Sequence, residues 1–240
     1  MKLLGLEKKI ESEVFTRDVL LTLGYMMNRK LIKSVDFPIS KGKEAYVFRA
    51  TAGTAVKDEF LAVKIYMIQT SRFKHMFDYI SGDPRFSGIK RHQRDVIYAW
   101  TRKEFRNLKL CETTGVHAPK PYFFRDNILV MSYIGDEDGS PLPLLKEVGP
   151  PKPEKNFKQV IEDIRRLYSA GLIHADISEF NIIVKDDALY LIDIGQGILL
   201  NHPMAETFLR RDVENVVRYF SKFGIKADVN ELIEYIKEKD

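Results

Sequence analysis

A single cysteine, Cys111, stands in 240 residues. It excludes an internal disulfide, and with it the stapled scaffolds of small secreted domains. A zinc site built on cysteine thiolates is excluded on the same count. Long apolar runs are missing too. The longest are strand-sized, as over 189–192, far from the roughly 20 residues a membrane span needs. The apolar start, Leu3, Leu4 and Leu6, is broken by Glu7, Lys8 and Lys9 before a signal-peptide core can form. These absences point to a cytoplasmic chain with no membrane partner. Net charge of one sign is also scarce, at +4 overall, too weak by itself to argue for nucleic acid, and no DNA is expected.

What is present is ordinary globular material, 45% hydrophobic and 30% charged, with 14 Gly and 10 Pro. The length suits one large domain or two small lobes. Charge is unevenly spread. Between Arg72 and Lys109 there are ten Lys or Arg (72, 74, 85, 90, 91, 94, 102, 103, 106, 109) against four acids (78, 83, 95, 104), so the segment is +6 and the remainder −2. Such a stretch is either a solvated face or an attractor of polyanions such as RNA.

The first half reads as strands around one helix, the second as mainly helical. Residues 7–30 have a helical pattern with Thr16 as N-cap. Strands follow through Ile39, over 46–50, over 60–66 and over 129–135. Residues 67–94, with two Ser-Gly pairs and Pro84, show no clean period and read as a long mobile loop. A helix is expected over 95–111. The polar, proline-rich stretch 136–155 reads as a connector. Beyond it Phe157, Val160, Ile161, Ile164 and Leu167 recur at helical spacing, and Gly171 supplies a stop. Asp186-Asp187 marks a hairpin, and helices are expected over 204–223 and 228–238.

The chemistry is concentrated after residue 170. His174-Ala175-Asp176 is followed by Asn181 and, after the hairpin, by Asp193-Ile194-Gly195. This resembles the H-R-D-x-x-x-x-N catalytic loop and D-F-G of protein kinases. Phosphoryl transfer needs an acceptor for the attacking group's proton and a cation to neutralise phosphate charge. Asp176 can accept the proton, and the oxygens of Asn181 and Asp193 suit a hard metal ion. Taken singly, Asp176 and Asn181 are ordinary turn residues; the D-x-G after a hairpin makes them a set. Upstream, Lys64 lies inside the apolar strand 60–66, where an unpaired charge is costly and an anion is wanted. On the helix 95–111, Glu104 shares a face with Ile97, Trp100 and Leu108, so it is the carboxylate expected to pair with Lys64.

Ser40-Lys41-Gly42-Lys43-Glu44-Ala45 is neither a Walker A loop nor G-x-G-x-x-G. It resembles the S-T-G-K-E-A nucleotide loop of RIO kinases. The stretch 174–181 is similar to their H-x-D-x-S-E-[YF]-N, 192–196 to their I-D-x-x-Q, and the tail 202–215 matches as well. The resemblance spans roughly 35–225. Ser178-Glu179 and the short N-terminal helices fit the first subfamily, and the size fits archaeal members; the second subfamily's winged helix has no room ahead of the match.

The resemblance implies an α+β, two-lobed protein-kinase fold. N-terminal helices occupy 1–30, an N-lobe with an antiparallel sheet 31–131, a hinge 132–136, and a trimmed, mainly helical C-lobe 137–240. It implies ATP as substrate and Mg²⁺, or Mn²⁺, as metal. Asp176 is then the catalytic acceptor, and Asn181 and Asp193 the metal ligands. Ser40, Gly42 and Lys43 meet the phosphates with Lys64. Met131 backs the adenine, which backbone at Ser132 and Ile134 contacts. Asp193 is also a candidate for transient phosphorylation, and Ser71, Ser81 and Ser87 for autophosphorylation in 67–94. The family implies a serine/threonine protein kinase with ATPase activity that acts in small ribosomal subunit maturation, the stretch 72–109 meeting the pre-ribosomal particle or its rRNA.

Departures are Lys41 for Thr, Ser132 at an often acidic hinge position, Ala175 for Arg, and no A-P-E segment. The last puts efficient phosphorylation of diffusing proteins in question. An ATPase switch that times release from a particle is therefore a competing reading. A small-molecule kinase is disfavoured by the 47 residues after Asp193, and a catalytically dead RNA-binding relative by the complete set of site residues.

Overall fold

The computed structural model describes residues 14–69, 73–81, 83–86, 88–89 and 92–238. The part of the expected N-terminal helices before Val14 lies outside them, as do Ser71, Ser87, Arg72, Lys90 and Arg91.

In chain order the elements are α1 (Arg17–Asn28), β1 (Ile32–Lys41), β2 (Ala45–Ala52), β3 (Phe60–Tyr66), α2 (Phe73–Ser81), α3 (Gln93–Thr114), β4 (Pro121–Arg125) and β5 (Ile128–Ser132). They continue with α4 (Leu145–Val148), α5 (Pro153–Ser169), β6 (Leu172–Ile173), β7 (Ile182–Lys185), β8 (Ala188–Leu191), β9 (Ile198–Leu199), α6 (Ala205–Ser221) and α7 (Val229–Lys237). Two compact units emerge. One gathers the described residues up to Phe77 with Gly88–Arg102 and Tyr122–Tyr133; the other takes Asp78–Ser87, Lys103–Pro121 and Ile134 onward. No helix of the described residues is long and apolar enough to cross a membrane.

The first unit is built on an antiparallel sheet in the order β1-β2-β3-β5-β4. α1 starts where Thr16 accepts from the Val19 N–H at 3.4 Å, which satisfies one of the helix's orphan donors. Its stripe of Val19, Leu23 and Met26 packs on Leu61, Val63, Ile65, Ile128 and Val130. Because strand residues alternate, the opposite face carries the residues between them. Register puts Val47 and Leu129 beside Lys64, and Met131 beside Ala62. That second face sets Val47, Leu129 and Met131 around Lys64, with Arg49 opposite Ala62.

The second unit packs α5, α6 and α7 together. Phe157, Val160 and Ile164 of α5 are buried, as are Val213, Val216 and Phe220 of α6 and Ile236 of α7. Phe157 and Phe220 meet edge to face at 5.5 Å. Gln159 docks the β7–β8 hairpin on α5, donating to the Leu189 carbonyl at 2.6 Å and accepting from its N–H at 3.1 Å.

Secondary structure differs most from expectation over 67–94. Residues 73–81 form α2, and 84–86 a turn of 3₁₀ helix. Met76 and Ile80, four residues apart, are both buried, so a short helical stripe exists there that the neighbouring glycines obscured. The helix expected over 95–111 is longer at both ends, since Gln93 and Arg94 open α3 and Thr113 and Thr114 return hydroxyls to the Leu110 carbonyl.

Cys111 lies on the inner side of α3, 1% exposed, and burial pushes its thiol up to about 12. The thiolate is the reactive form. In the folded protein at pH 8 a chromogenic disulfide reagent is expected to find no reactive thiol, and one equivalent after denaturation. Rapid native labelling would contradict this packing.

Candidate active site

Two short pairings set the geometry of the region after residue 170. β6 pairs with β9, Leu172 opposite Leu199 and Ile173 opposite Ile198, so the chain enters at His174 and leaves after Gly197 at one place. β7 and β8 pair from Ile182 opposite Leu191 to Lys185 opposite Ala188. The Ile192 N–H closes the ladder on the Asn181 carbonyl at 2.9 Å. The hairpin thus returns Asp193 to the level of Asn181, as its spacing predicts.

Asp176, Asn181 and Asp193 are brought together in the second unit. The Asn181 amide donates to the Asp176 carbonyl and to its Oδ2, each at 3.0 Å. The Gln196 amide donates to the same Oδ2 at 2.9 Å. Two amides therefore fix the carboxylate's direction. Asp193 is exposed and held in the left-handed region, φ 61° and ψ 53°. Ala175, just before Asp176, is also left-handed, at φ 67°. Both conformations cost non-glycine residues energy and persist only where neighbours impose them.

The restraint on Ala175 is explicit. Asp212 on α6 accepts from the Ala175 N–H at 2.7 Å and the Ile177 N–H at 3.0 Å. Arg211 donates to the Ala175 carbonyl, and the Asn215 amide to that of Ile177 at 3.0 Å. Asp212 is fully buried. Burial pushes it up to about 7, while the two N–H donors and Arg211 pull the other way. His174, 1% exposed, is held down to about 4 by burial, against the Asp193 carboxylate. It is neutral at pH 7.

Sequence reasoning did not single out Asp212. Its signal was present, a carboxylate on the apolar stripe Leu209, Asp212, Val213, Val216. Lys103 and Asn107 were missed in the same way. The Lys103 ammonium, fully buried on α3, donates to the carbonyls of Gly195 and Gly197, both at 2.6 Å. Burial lowers its pKa to about 7. The Asn107 amide donates to the Ile194 carbonyl at 2.9 Å. Gly197 is tightly enclosed, because a Cβ there would stand 2.9 Å from Asn107 Nδ2 and 3.1 and 3.2 Å from the carbonyl oxygens of Ile194 and Ile173. Lys103 therefore leaves the set of surface charges counted over 72–109, and so does Arg85, which is bonded to Asp83 and Asn107.

The other expected residues lie as follows. Glu104 is in the second unit, on α3, 1% exposed. Ile134 opens that unit's longest stretch. Lys64 is in the first unit, 6% exposed on β3, its ammonium 5.0 Å from the Tyr66 ring centroid. Met131 and Ser132 end β5, and Met131 shares the Lys64 face. Ser40 is near the end of β1, and Gly42 turns the chain, its N–H bonded to the Ala45 carbonyl at 2.9 Å. Lys43 sits at the tip of that turn.

The sequence over 46–232 matches the RIO domain model. The chain belongs to the RIO family. Its relatives include a RIO-type serine/threonine-protein kinase Rio1 from Haloferax volcanii, 42% identical over 95% of this chain and 77% of that protein. Another, from Thermoplasma acidophilum, is 45% identical over 80% of this chain and all of the relative. The human serine/threonine-protein kinase RIO1 is 37% identical, but this chain spans only 38% of its length. The fold is that of a Rio2 kinase from Chaetomium thermophilum, solved as an ADP/Mg²⁺–phosphoaspartate complex. The likeness has a TM-score of 0.66 at 22% identity, over 90% of this chain and 66% of that one. As a RIO family member with the two-lobed kinase-like α+β fold, the chain is an enzyme of the protein kinase class.

Proposed function

We propose that this RIO protein is an ATP- and magnesium-dependent serine/threonine kinase that also phosphorylates itself and hydrolyses ATP. One observation carries the reading: the Asp176 carboxylate, aimed by two amides at 2.9 and 3.0 Å, on a loop pinned by a buried carboxylate. A fixed carboxylate beside a second, exposed one is what proton acceptance and cation binding ask for in phosphoryl transfer.

The residues fit a hard cation. Asn181 spends its N–H groups on Asp176, which directs its carbonyl oxygen elsewhere, and Asp193 adds a carboxylate. Oxygen donors of this kind suit Mg²⁺ or Mn²⁺. A cation held by Asn181 and Asp193 supplies charge neutralisation for the phosphates. In the first unit, Lys64 and the turn of Ser40, Gly42 and Lys43 are assigned to the phosphates, and the face with Val47, Leu129 and Met131 to the adenine, with backbone at Ser132. The phosphoaspartate of the Rio2 complex supports Asp193 as a transient acceptor.

We assign the biological setting to small ribosomal subunit maturation in the cytoplasm. The support is family membership and the exposed basic residues Lys74, Arg94, Arg106 and Lys109. Two of these are engaged by acids, Arg94 by Asp18 and Lys109 by Glu112. A second reading, an ATPase switch, is favoured by the short passage from Asp193 to α6, which offers little surface to a diffusing peptide.

The test is incubation with γ-labelled ATP and Mg²⁺, following free phosphate and label on the protein. Both products are expected, and both should vanish with EDTA or in Asp193→Asn. The ratio of free phosphate to bound label separates switch from kinase. ATP binding with neither product, with or without small-subunit particles, would replace the enzyme by a nucleotide-sensing binding module.

A further inference from the structure

Two side chains, Tyr79 near the end of α2 and Arg85 in the 84–86 turn that follows it, reach toward the loops of the candidate active site, and the reaction as described uses neither. Arg85 forks onto Asp83, with Nε at 2.9 and 3.0 Å from its two oxygens and NH2 at 2.6 Å. Its remaining nitrogen, NH1, donates to Asn107 Oδ1 at 3.0 Å. The Asn107 Nδ2 then donates to the carbonyls of Ile194, at 2.9 Å, and Gly197, at 3.2 Å. Asp83 and Asn107 are buried, 3% and 0% exposed.

The chemistry gives Arg85 a definite job. A carboxamide can turn either end toward a neighbour, and a guanidinium has no acceptor. Arg85 therefore takes the Asn107 oxygen and presents its NH₂ group to the carbonyls that follow Asp193. A flipped amide would set an oxygen against those carbonyls.

The second link is independent. Tyr79, at the end of α2, stacks on Phe208 with ring centroids 5.7 Å apart. It is hydrogen-bonded by Arg211. Arg211 in turn donates to the Ala175 carbonyl, next to Asp176. One short segment thus touches both loops, one through Asn107 and the other through Arg211.

We infer that Tyr79 of α2 and Arg85 of the 84–86 turn act as a strap, as positioning residues for the loops that carry Asp176 and Asp193. The inference rests on those residues forming the active site, as proposed above. Binding of ATP should be little affected, whereas the chemical step, which depends on the placement of both carboxylates, should suffer.

Arg85→Lys keeps a cation for Asp83 and loses the fork to Asn107. Tyr79→Phe keeps the stack and loses only the hydroxyl. Hydrogen exchange without nucleotide is the first readout. Arg85→Lys should exchange roughly tenfold faster over 192–199, and Tyr79→Phe over 174–178, with α5 unchanged in both. The second readout is kinetic: kcat should fall about 10- to 100-fold with KM for ATP within about twofold. Unchanged exchange at both loops overturns the strap, and so does a raised KM at constant kcat. If Arg85→Lys does not fold, Tyr79→Phe decides alone. Exchange is blind to activity, so wild-type protein without turnover would defeat the assignment of the site while leaving the strap open to the same measurement.

Discussion

Asp176→Asn is expected to lower ATP turnover and self-labelling by about 10³-fold, within the 10²–10⁴ range of a lost general base. The substitution is nearly isosteric. Its carbonyl oxygen can still accept from the Asn181 and Gln196 amides, which now stand at 3.0 and 2.9 Å from Oδ2. The fold and nucleotide affinity should therefore persist. What is lost is the basicity of the oxygen. Single-turnover assays with labelled ATP, beside titration of a fluorescent nucleotide, separate the two. A variant within tenfold of wild type would remove Asp176 from the chemistry and leave it a turn residue.

Asp212→Ala should do as much damage from a greater distance. It orphans the N–H groups of Ala175 and Ile177. Leaving those two buried donors without an acceptor costs about 1–3 kcal/mol each. Ala175 has no further reason to stay left-handed, so Asp176 shifts and the residual kcat should drop about 10²-fold. Asp212→Asn retains one acceptor and should lie between. The same residue gives a pH signature. Its folded pKa, about 7, is above the ordinary 3.8, so the native chain holds a proton that the unfolded chain has released between these values. The stability this provides is complete below the ordinary value and lost as pH rises through about 7. Asp212→Asn should abolish that slope, measured as urea midpoints across pH 4 to 8. A slope identical in both proteins would show that Asp212 is ionised throughout.

The elements that sequence read well were those with a clean period or a decisive stop. β3 is found over the expected residues 60–66, the Asp186-Asp187 turn joins β7 and β8, and α5 stops just before Gly171. The carboxylates of the second unit were legible because their spacing is set by local structure, a loop and a hairpin. Illegible were the groups whose partners lie far along the chain. Lys103 and Arg85 look like surface charge in sequence, because nothing local shows that carbonyls 92 residues away await Lys103. Asp212 is 37 residues from the N–H it binds. Lys103 and Asp212 share a usable mark: each is a polar residue on an apolar stripe, where burial without a partner would be costly. α2 was missed for the opposite reason, a real stripe too short to stand out among breakers.

The β7–β8 hairpin has a consequence for how this part of the chain can change length. Its two strands are only four residues each, and side chains alternate faces with a strict period of two. One added residue in either strand would turn Leu189 and Leu191 outward and carry Asp193 to the wrong side of Asn181. Two added residues would only lengthen the arm. The hairpin works as a ruler graduated in pairs, so the gap from Asn181 to Asp193 is a measured quantity, not a spacer.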